Sequence, residues 1–405
     1  MADNNENKVL NVPHLRFPEF SGEWEEHTLS EYLEFKNGLN PDAKRIGSGL
    51  PFISVMDILS EGVINYDNIR GKVNATEKEI ECFGVKDGDL LFQRSSETLE
   101  DVGRANVYMD NRTAIYGGFV IRGRKIGNYD PLFFKYLLAT PLARKRTCRM
   151  GAGAQHFNIG QEGLSKISLY FPSIEEQRKI AEFLSLIDER IATQNKIIED
   201  LKKLKSAISK QAFAQKPNGW NRLDTLFSKG KAGGTPTSTN KEYYNGEIPF
   251  LSINDITKQG KYVRYTENHL SQSGLENSSA WMVPKYSLIM SMYASVGLVT
   301  INEIPITTSQ AMFAMQLKDK DLLDYLYYYL SYFKYRYIHK YLETGTQSNI
   351  NADIVRGIMI PTYGHSRNMK IASTLQGIDA KIDNELSVLK LFNRQKNYLL
   401  SQMFI

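Results

Sequence analysis

The chain has 405 residues, 42% of them hydrophobic and 23% charged, with a net charge of +5, enough for two or three domains with proper cores. Its two cysteines, Cys82 and Cys148, form no CxxC pair, and its six histidines show no close ligand spacing, which excludes a disulfide framework and argues against a zinc ribbon or a buried metal site. No apolar run approaches the roughly 20 residues of a membrane span and the start, MADNNENKVLN, is polar, so the expectation is a cytoplasmic protein without membrane contact. The mild positive charge permits an anionic partner without demanding one.

The first unit is headed by Trp24 in GEWEEHTLSEYLEF; the corresponding point of the second half is NGWNRLDTLF, headed by Trp220. LPFISVMDI (Leu50 to Ile58) and IPFLSINDI (Ile248 to Ile256) match, and their β-branched, apolar character predicts paired buried strands. VKDGDLLF (Val85 to Phe92) and VPKYSLIM (Val283 to Met290) each predict a turn followed by a short strand. Beyond these the copies diverge, which predicts one fold carrying two different surfaces. Helical segments follow, Asp130 to Arg146 and Asp321 to Leu342. The second is so rich in tyrosine, among Lys334, Arg336, His339 and Lys340, that nucleotide stacking competes with plain packing on the sheet; packing is preferred. Basic clusters at Arg122 to Lys125, Arg144 to Arg149 and Lys202 to Lys205 read first as solvated faces.

The strongest signal is a repeat of Pro172 to Phe213. Shifted by 191 residues, Lys179-Ile180-Ala181 falls on Lys370-Ile371-Ala372, Ile187-Asp188 on Ile378-Asp379, and Phe213 on Phe404. Apolar positions step by four and three through Ile180, Leu184, Ile187, Ile191, Ile198 and Ile208, and again through Ile371, Leu375, Ile382, Leu389 and Leu399. This is the seam of a long helix, about 50 Å from Lys179 to Phe213 at 1.5 Å per residue. Gln194 and Lys205 interrupt it in one copy, Glu385 and Lys396 in the other. Antiparallel pairing would set Glu385 against Lys205 and Gln194 against Lys396, whereas parallel pairing opposes the two lysines. The expected fold is therefore α+β: two similar mixed α/β domains joined by two long helices in an antiparallel coiled coil with pseudo-twofold symmetry. The expected boundaries are 1–171, 172–214, 215–360 and 361–405.

With LRFPEFSGEW and NGW, GAGAQHFNI and GTQSNI, and the helix starter PSIEEQRKIAEFLSLID in order, the chain resembles the specificity subunits of type I restriction-modification systems over nearly its whole length. The resemblance implies two target recognition domains reading the halves of a split double-stranded DNA sequence, with the coil as spacer. It also implies two methylation subunits that carry the S-adenosylmethionine, and restriction-translocase subunits for cleavage; this chain would hold no cofactor and perform no catalysis. The second starter, PTYGHSRNMKIAS, departs by lacking the acidic Glu175-Glu176-Gln177 run. Base reading calls for Arg, Asn, Gln, Ser or Thr on loops. The candidates are Lys44, Arg45, Arg94, Ser95, Ser96, Arg104, Gln155 and His156 in the first domain, and Ser291, Tyr293, Thr346, Gln347, Ser348 and Asn349 in the second. No phosphate-binding glycine loop and no aminomethyltransferase signature occurs. A two-headed protein adaptor without DNA remains the alternative, distinguished by a weak dependence of binding on salt.

Overall fold

The computed structural model describes residues 10–153, 156–342 and 349–405. The chain forms two compact units. One comprises Met1–Asn195 with Ser387–Ile405, the other Lys196–Leu386. Both divisions fall inside the long helices, Ile174–Phe213 and His365–Gln402, so each unit owns part of both. No helix among the described residues is long and apolar enough to cross a membrane.

In the first unit an antiparallel sheet runs in the order Leu33–Asn37, Val120–Lys125, Leu90–Gln93, Ala105–Val107. A second sheet of four contains the parallel pair Ile46–Ile53 and Ala114–Tyr116. Expected as strand throughout, Leu50 to Ile58 instead turns into a helix at Val55, because Ser54 and Asp57 form a capping box. The same happens at Ser252 and Asp255 in the second unit. The helical segment at Asp130 is two helices, Pro131–Ala139 and Pro141–Arg149. Thr140 closes one and caps the next, and a proline at the following position cannot continue the ladder. The core joins Leu90, Phe92, Ile121, Trp24, Phe133 and Phe171 to Leu184, Ile187 and Ile191 of one long helix and Leu399, Met403 and Phe404 of the other.

The second unit repeats this plan with a five-stranded sheet, Phe227–Ala232, Met312–Leu317, Leu288–Ser291, Val299–Asn302, Tyr262–Val263. Tyr244–Leu251 pairs in parallel with Thr307–Thr308, as Ile46–Ile53 does with Ala114–Tyr116. The tyrosine helix is Leu323–Arg336, and Tyr325, Tyr328 and Tyr329 are buried in the core, as packing on the sheet requires. The two tryptophans do not correspond: Trp24 is 2% exposed, Trp220 53%. Strand pairing puts Trp220 opposite Pro361 and Glu26 opposite Tyr170, so Trp220 occupies the place of Glu26 on a two-residue shorter entry.

The basic clusters are mostly structural. Arg122 is buried and donates to Gly84 O at 2.8 Å, and Arg124 pairs with Asp89 at 3.1 Å. Arg144 donates to Val102 O and Arg146 pairs with Glu26. Lys145, Arg149, Lys202 and Lys203 are solvated, Lys203 bonding Glu199 one turn away.

The long-helix segments run antiparallel in each unit, but the side-chain pairs differ from those expected. Lys205 pairs with Asp379 at 2.5 Å, not with Glu385, which bonds Lys381 on its own helix. Lys396 pairs with Asp188 at 2.6 Å, not with Gln194. The six residues between Asp379 and Glu385 amount to about 9 Å along the axis. The error came from assuming that polar seam residues satisfy one another. A lysine stem is long enough to leave the seam and reach a carboxylate on its flank, and a domain tyrosine fixes that carboxylate: Tyr328 OH donates to Asp379 at 2.8 Å, and Tyr136 OH to Asp188 at 2.9 Å.

Asp379→Ala is expected to lower stability by about 1–3 kcal/mol in urea unfolding, because a tyrosine hydroxyl and an ammonium lose their acceptor together; Lys205→Ala, which leaves Tyr328–Asp379 intact, should cost less. Burial pushes the phenols of Tyr116 and Tyr262 up to about 12. Between about pH 10, where the unfolded phenol ionises, and that value the folded chain binds more protons. Stability should therefore be complete below pH 10 and fall as pH rises through this window, read as a lower urea midpoint at pH 11 than at pH 9.

Candidate nucleic-acid interface

Four loops of the first unit meet at one end of its sheets. The backbone ties them: Arg94 N–H donates to Phe119 O at 2.9 Å, Ile159 N–H to Arg94 O at 3.0 Å, and Gln93 N–H to Arg104 O at 2.8 Å. Ser95–Ser96 pairs with Phe157–Asn158 as a short ladder, and the Ser95 hydroxyl bonds the Asn158 side chain. Gly103 turns this loop at φ +66°, with the Thr147 methyl 2.5 Å from where a Cβ would stand, so only glycine closes it without a shift. The fourth loop crosses here too, since Gly118 has the Asn40 side chain against it.

Of the residues expected to read DNA in this unit, Arg94, Ser95, Ser96 and His156 are brought together. Arg94 is half-buried and reaches Gly118 O; His156 is exposed. Lys44 is exposed on the Ala43–Arg45 turn. Its neighbour Arg45 is instead locked in a fork with Glu79 and donates to Asn74 O at 2.9 and 2.7 Å. Hydrogen bonding from Arg45 holds the Glu79 carboxyl down to about 2. Arg45 therefore shapes the turn that presents Lys44. Arg104 is exposed and pairs with Asp101 at 2.7 Å. Gln155 lies outside the described residues.

Sequence reasoning missed the apolar part of this surface. Ile46, Met56 and Phe119 are 54%, 67% and 67% exposed around a hollow of about 400 Å³ that also involves Leu39, Phe52 and Val55. Three exposed side chains far apart in sequence give no periodic signal; the Gly117-Gly118 pair beside Phe119 was the available hint.

The second unit has the same backbone frame with other side chains. Met292 N–H donates to Ala311 O at 2.7 Å and Ile350 N–H to Met292 O at 3.0 Å, so Met292 stands where Arg94 does and Ala311 where Phe119 does. Tyr293 is exposed and Asn349 half-buried, each next in sequence to a residue of this frame, Met292 and Ile350. Ser291 does not belong to the surface. It is fully buried, its hydroxyl donating to Ser295 O at 2.8 Å and accepting from Leu298 N–H at 2.9 Å. It holds a turn in which Ala294 and Ser295 adopt positive φ. Thr346, Gln347 and Ser348 lie outside the described residues. Thr235 and Gln310, hydrogen-bonded to each other, take the places of Asn40 and Gly118 and were not foreseen. Among the described residues no group of three His, Cys, Asp or Glu could hold a metal ion.

This is a duplicated frame that offers two chemically different loop surfaces. Residues 21–203 and 217–390 each match the type I restriction modification DNA specificity domain, and the chain belongs to that family. A Methanocaldococcus jannaschii protein, provisionally named the MjaX type I restriction enzyme specificity subunit, is 24% identical over 403 residues, 93% of this chain and 91% of its own length. The HindI specificity subunit of Haemophilus influenzae is 32% identical over 113 residues, covering 27% of this chain and 24% of its own. The crystal structure of the type I restriction-modification system S subunit from M. genitalium shares the fold at a TM-score of 0.59 and 16% identity, over 97% of this chain and 99% of its own. A structure from a study of complex assembly and conformational transition in the type I system does so at 0.60 and 16%, over 94% and 97%.

Ser291→Ala is expected to cost about 1–3 kcal/mol, because Leu298 N–H loses its acceptor inside the protein, and to leave any ligand preference of the second unit unchanged. A urea midpoint equal to that of the parent chain would overturn the structural role given to Ser291.

Proposed function

We propose that this chain is the DNA-reading subunit of a type I restriction-modification complex, recognising a double-stranded target in two halves. The observation that carries the reading is the repeated backbone frame: the same hydrogen bonds hold Arg94 beside Phe119 in one unit and Met292 beside Ala311 in the other. Side chains can then differ without moving the loops, which is what two different half-sites demand.

In the first unit Lys44 engages phosphate, while Arg94, Ser95, Ser96 and His156, with Gln155, meet base edges. The methyl-seeking surface of Ile46, Met56 and Phe119 adds apolar contact of the kind that distinguishes thymine. In the second, Tyr293 and Asn349, together with Gln310 and the Thr346–Ser348 stretch, do the reading. The long helices set the distance between half-sites and seat two methylation subunits, which bring S-adenosylmethionine; restriction-translocase subunits join for cleavage. The chain itself contributes recognition and no bond-making chemistry.

Co-expression with its methylation subunits in a host without such systems, followed by single-molecule mapping of adenine methylation, should give a motif of two parts with a fixed gap. Replacing residues 1–171 by those of a relative should change one part only. A correctly assembled complex that leaves no such motif would overturn the reading. Lys44→Ala should weaken binding to all sequences alike and reduce the slope of log K on log salt by about 1, whereas Arg94→Ala should cost about 1–3 kcal/mol on the cognate sequence and relax one position.

A further inference from the structure

The two units differ most where the long helices end. In the first, residues 10–22 lie across the junction. Leu15 N–H donates to Gln402 O at 2.8 Å, and Arg16 forks onto Glu176 at 2.8 and 2.7 Å. The Phe17 ring meets the Phe183 edge with centroids 5.8 Å apart, and Glu19 pairs with Lys179 at 3.2 Å. Under this segment Glu176 is 1% and Ile180 2% exposed.

Moved by the 191-residue repeat, these contact positions become Gln211, Arg367, Thr374, Lys370 and Ile371. In the second unit they line an open hollow of about 840 Å³ with Ile208 and Ala212 on its floor. Among the described residues nothing corresponding to residues 10–22 covers it. The chain enters this unit's outer strand pair, Gly219–Arg222, straight from the helix ending at Phe213, through a connection that places only Gln215 at the rim. Arg367, whose guanidinium donates to Gln215, is exposed where Glu176 is buried. The charge at the anchoring position is reversed, Arg for Glu, while the lysine that pairs with Glu19 is retained as Lys370.

We propose that this hollow receives an extended segment of a partner protein that presents an apolar residue beside a carboxylate, the carboxylate pairing with Arg367 as Arg16 pairs with Glu176. The occupant is a polypeptide because a polypeptide fills the matching site. It is not residues 10–22 of a second copy, because Arg16 would then face Arg367 across a desolvated contact. Two cations, Arg367 and Lys370, and no carboxylate among the residues lining the hollow favour an acidic segment. The assignment is independent of DNA reading.

The test uses two fluorescent peptides of residues 10–22, one with the natural Arg16 and one with Arg16→Glu, titrated by anisotropy against the full chain. The Arg16→Glu peptide should bind at least about 10-fold tighter, as a charge-assisted pair replaces a like-charge clash. Arg367→Glu, at an exposed position, should reverse that order, and Thr374→Phe, which restores the ring of Phe183, should tighten both peptides. Equal affinities, an order unmoved by Arg367→Glu, no binding of either peptide at millimolar concentration, or displacement of the Glu peptide by duplex DNA would each overturn the proposal.

Discussion

Each unit depends on a lysine and an aspartate that come from different copies of the repeat. Asp188 and Lys205 belong to the first long helix, yet Asp188 is bound by Lys396 and Lys205 by Asp379. A tyrosine from the domain, Tyr136 or Tyr328, completes each triad. These groups are neither fully buried nor fully wet, with the acidic side chains 22% and 23% exposed and the lysines 27% and 31%. In that setting a charge-assisted hydrogen bond retains much of its strength without the full desolvation cost of a dry ion pair. The triads also bind helix to domain, because the tyrosine sits on the sheet-packing helix and the carboxylate on the long one. A seam made only of apolar residues could slide by a heptad; two triads cannot both survive such a slip.

Much of this was legible in the sequence, because a duplicated chain prints every important local signal twice. The period of four and three located both long helices, and the strands that run through Leu50 and Ile248 were visible through their β-branched runs, although each begins four residues earlier, at Ile46 and Tyr244. The ion pairs between the helices were not, since they depend on which carboxylate a flexible lysine reaches, and that is set by a tyrosine roughly 50 residues away in sequence. The capping boxes at Ser54 and Ser252 were readable as Ser-x-x-Asp and would have ended those strands in the right place.

The candidate site was legible in kind rather than in membership. Loop polarity identified Lys44, Arg94, Ser95, Ser96, His156 and Tyr293 as surface residues, which they are. Arg45 and Ser291 have the same chemistry but spend it inside the protein, on Glu79 and on the turn at Ser295. The apolar rim of Ile46, Met56 and Phe119 escaped notice because hydrophobic residues in a sequence are assigned to the core unless something says otherwise.

The frame that holds the candidate loops is made largely of main-chain bonds, and this separates two quantities that usually trade against each other. Arg94 and Met292 both hold the frame through their backbone N–H and C=O, with the Arg94 guanidinium adding a contact to Gly118 O, so the frame itself is the same whichever side chain is attached. A random substitution there leaves folding almost untouched while altering what the surface can touch. Preference is therefore free to drift over generations at little cost in the fraction of chains that fold, and the two halves can diverge from a common ancestor without passing through an unstable intermediate.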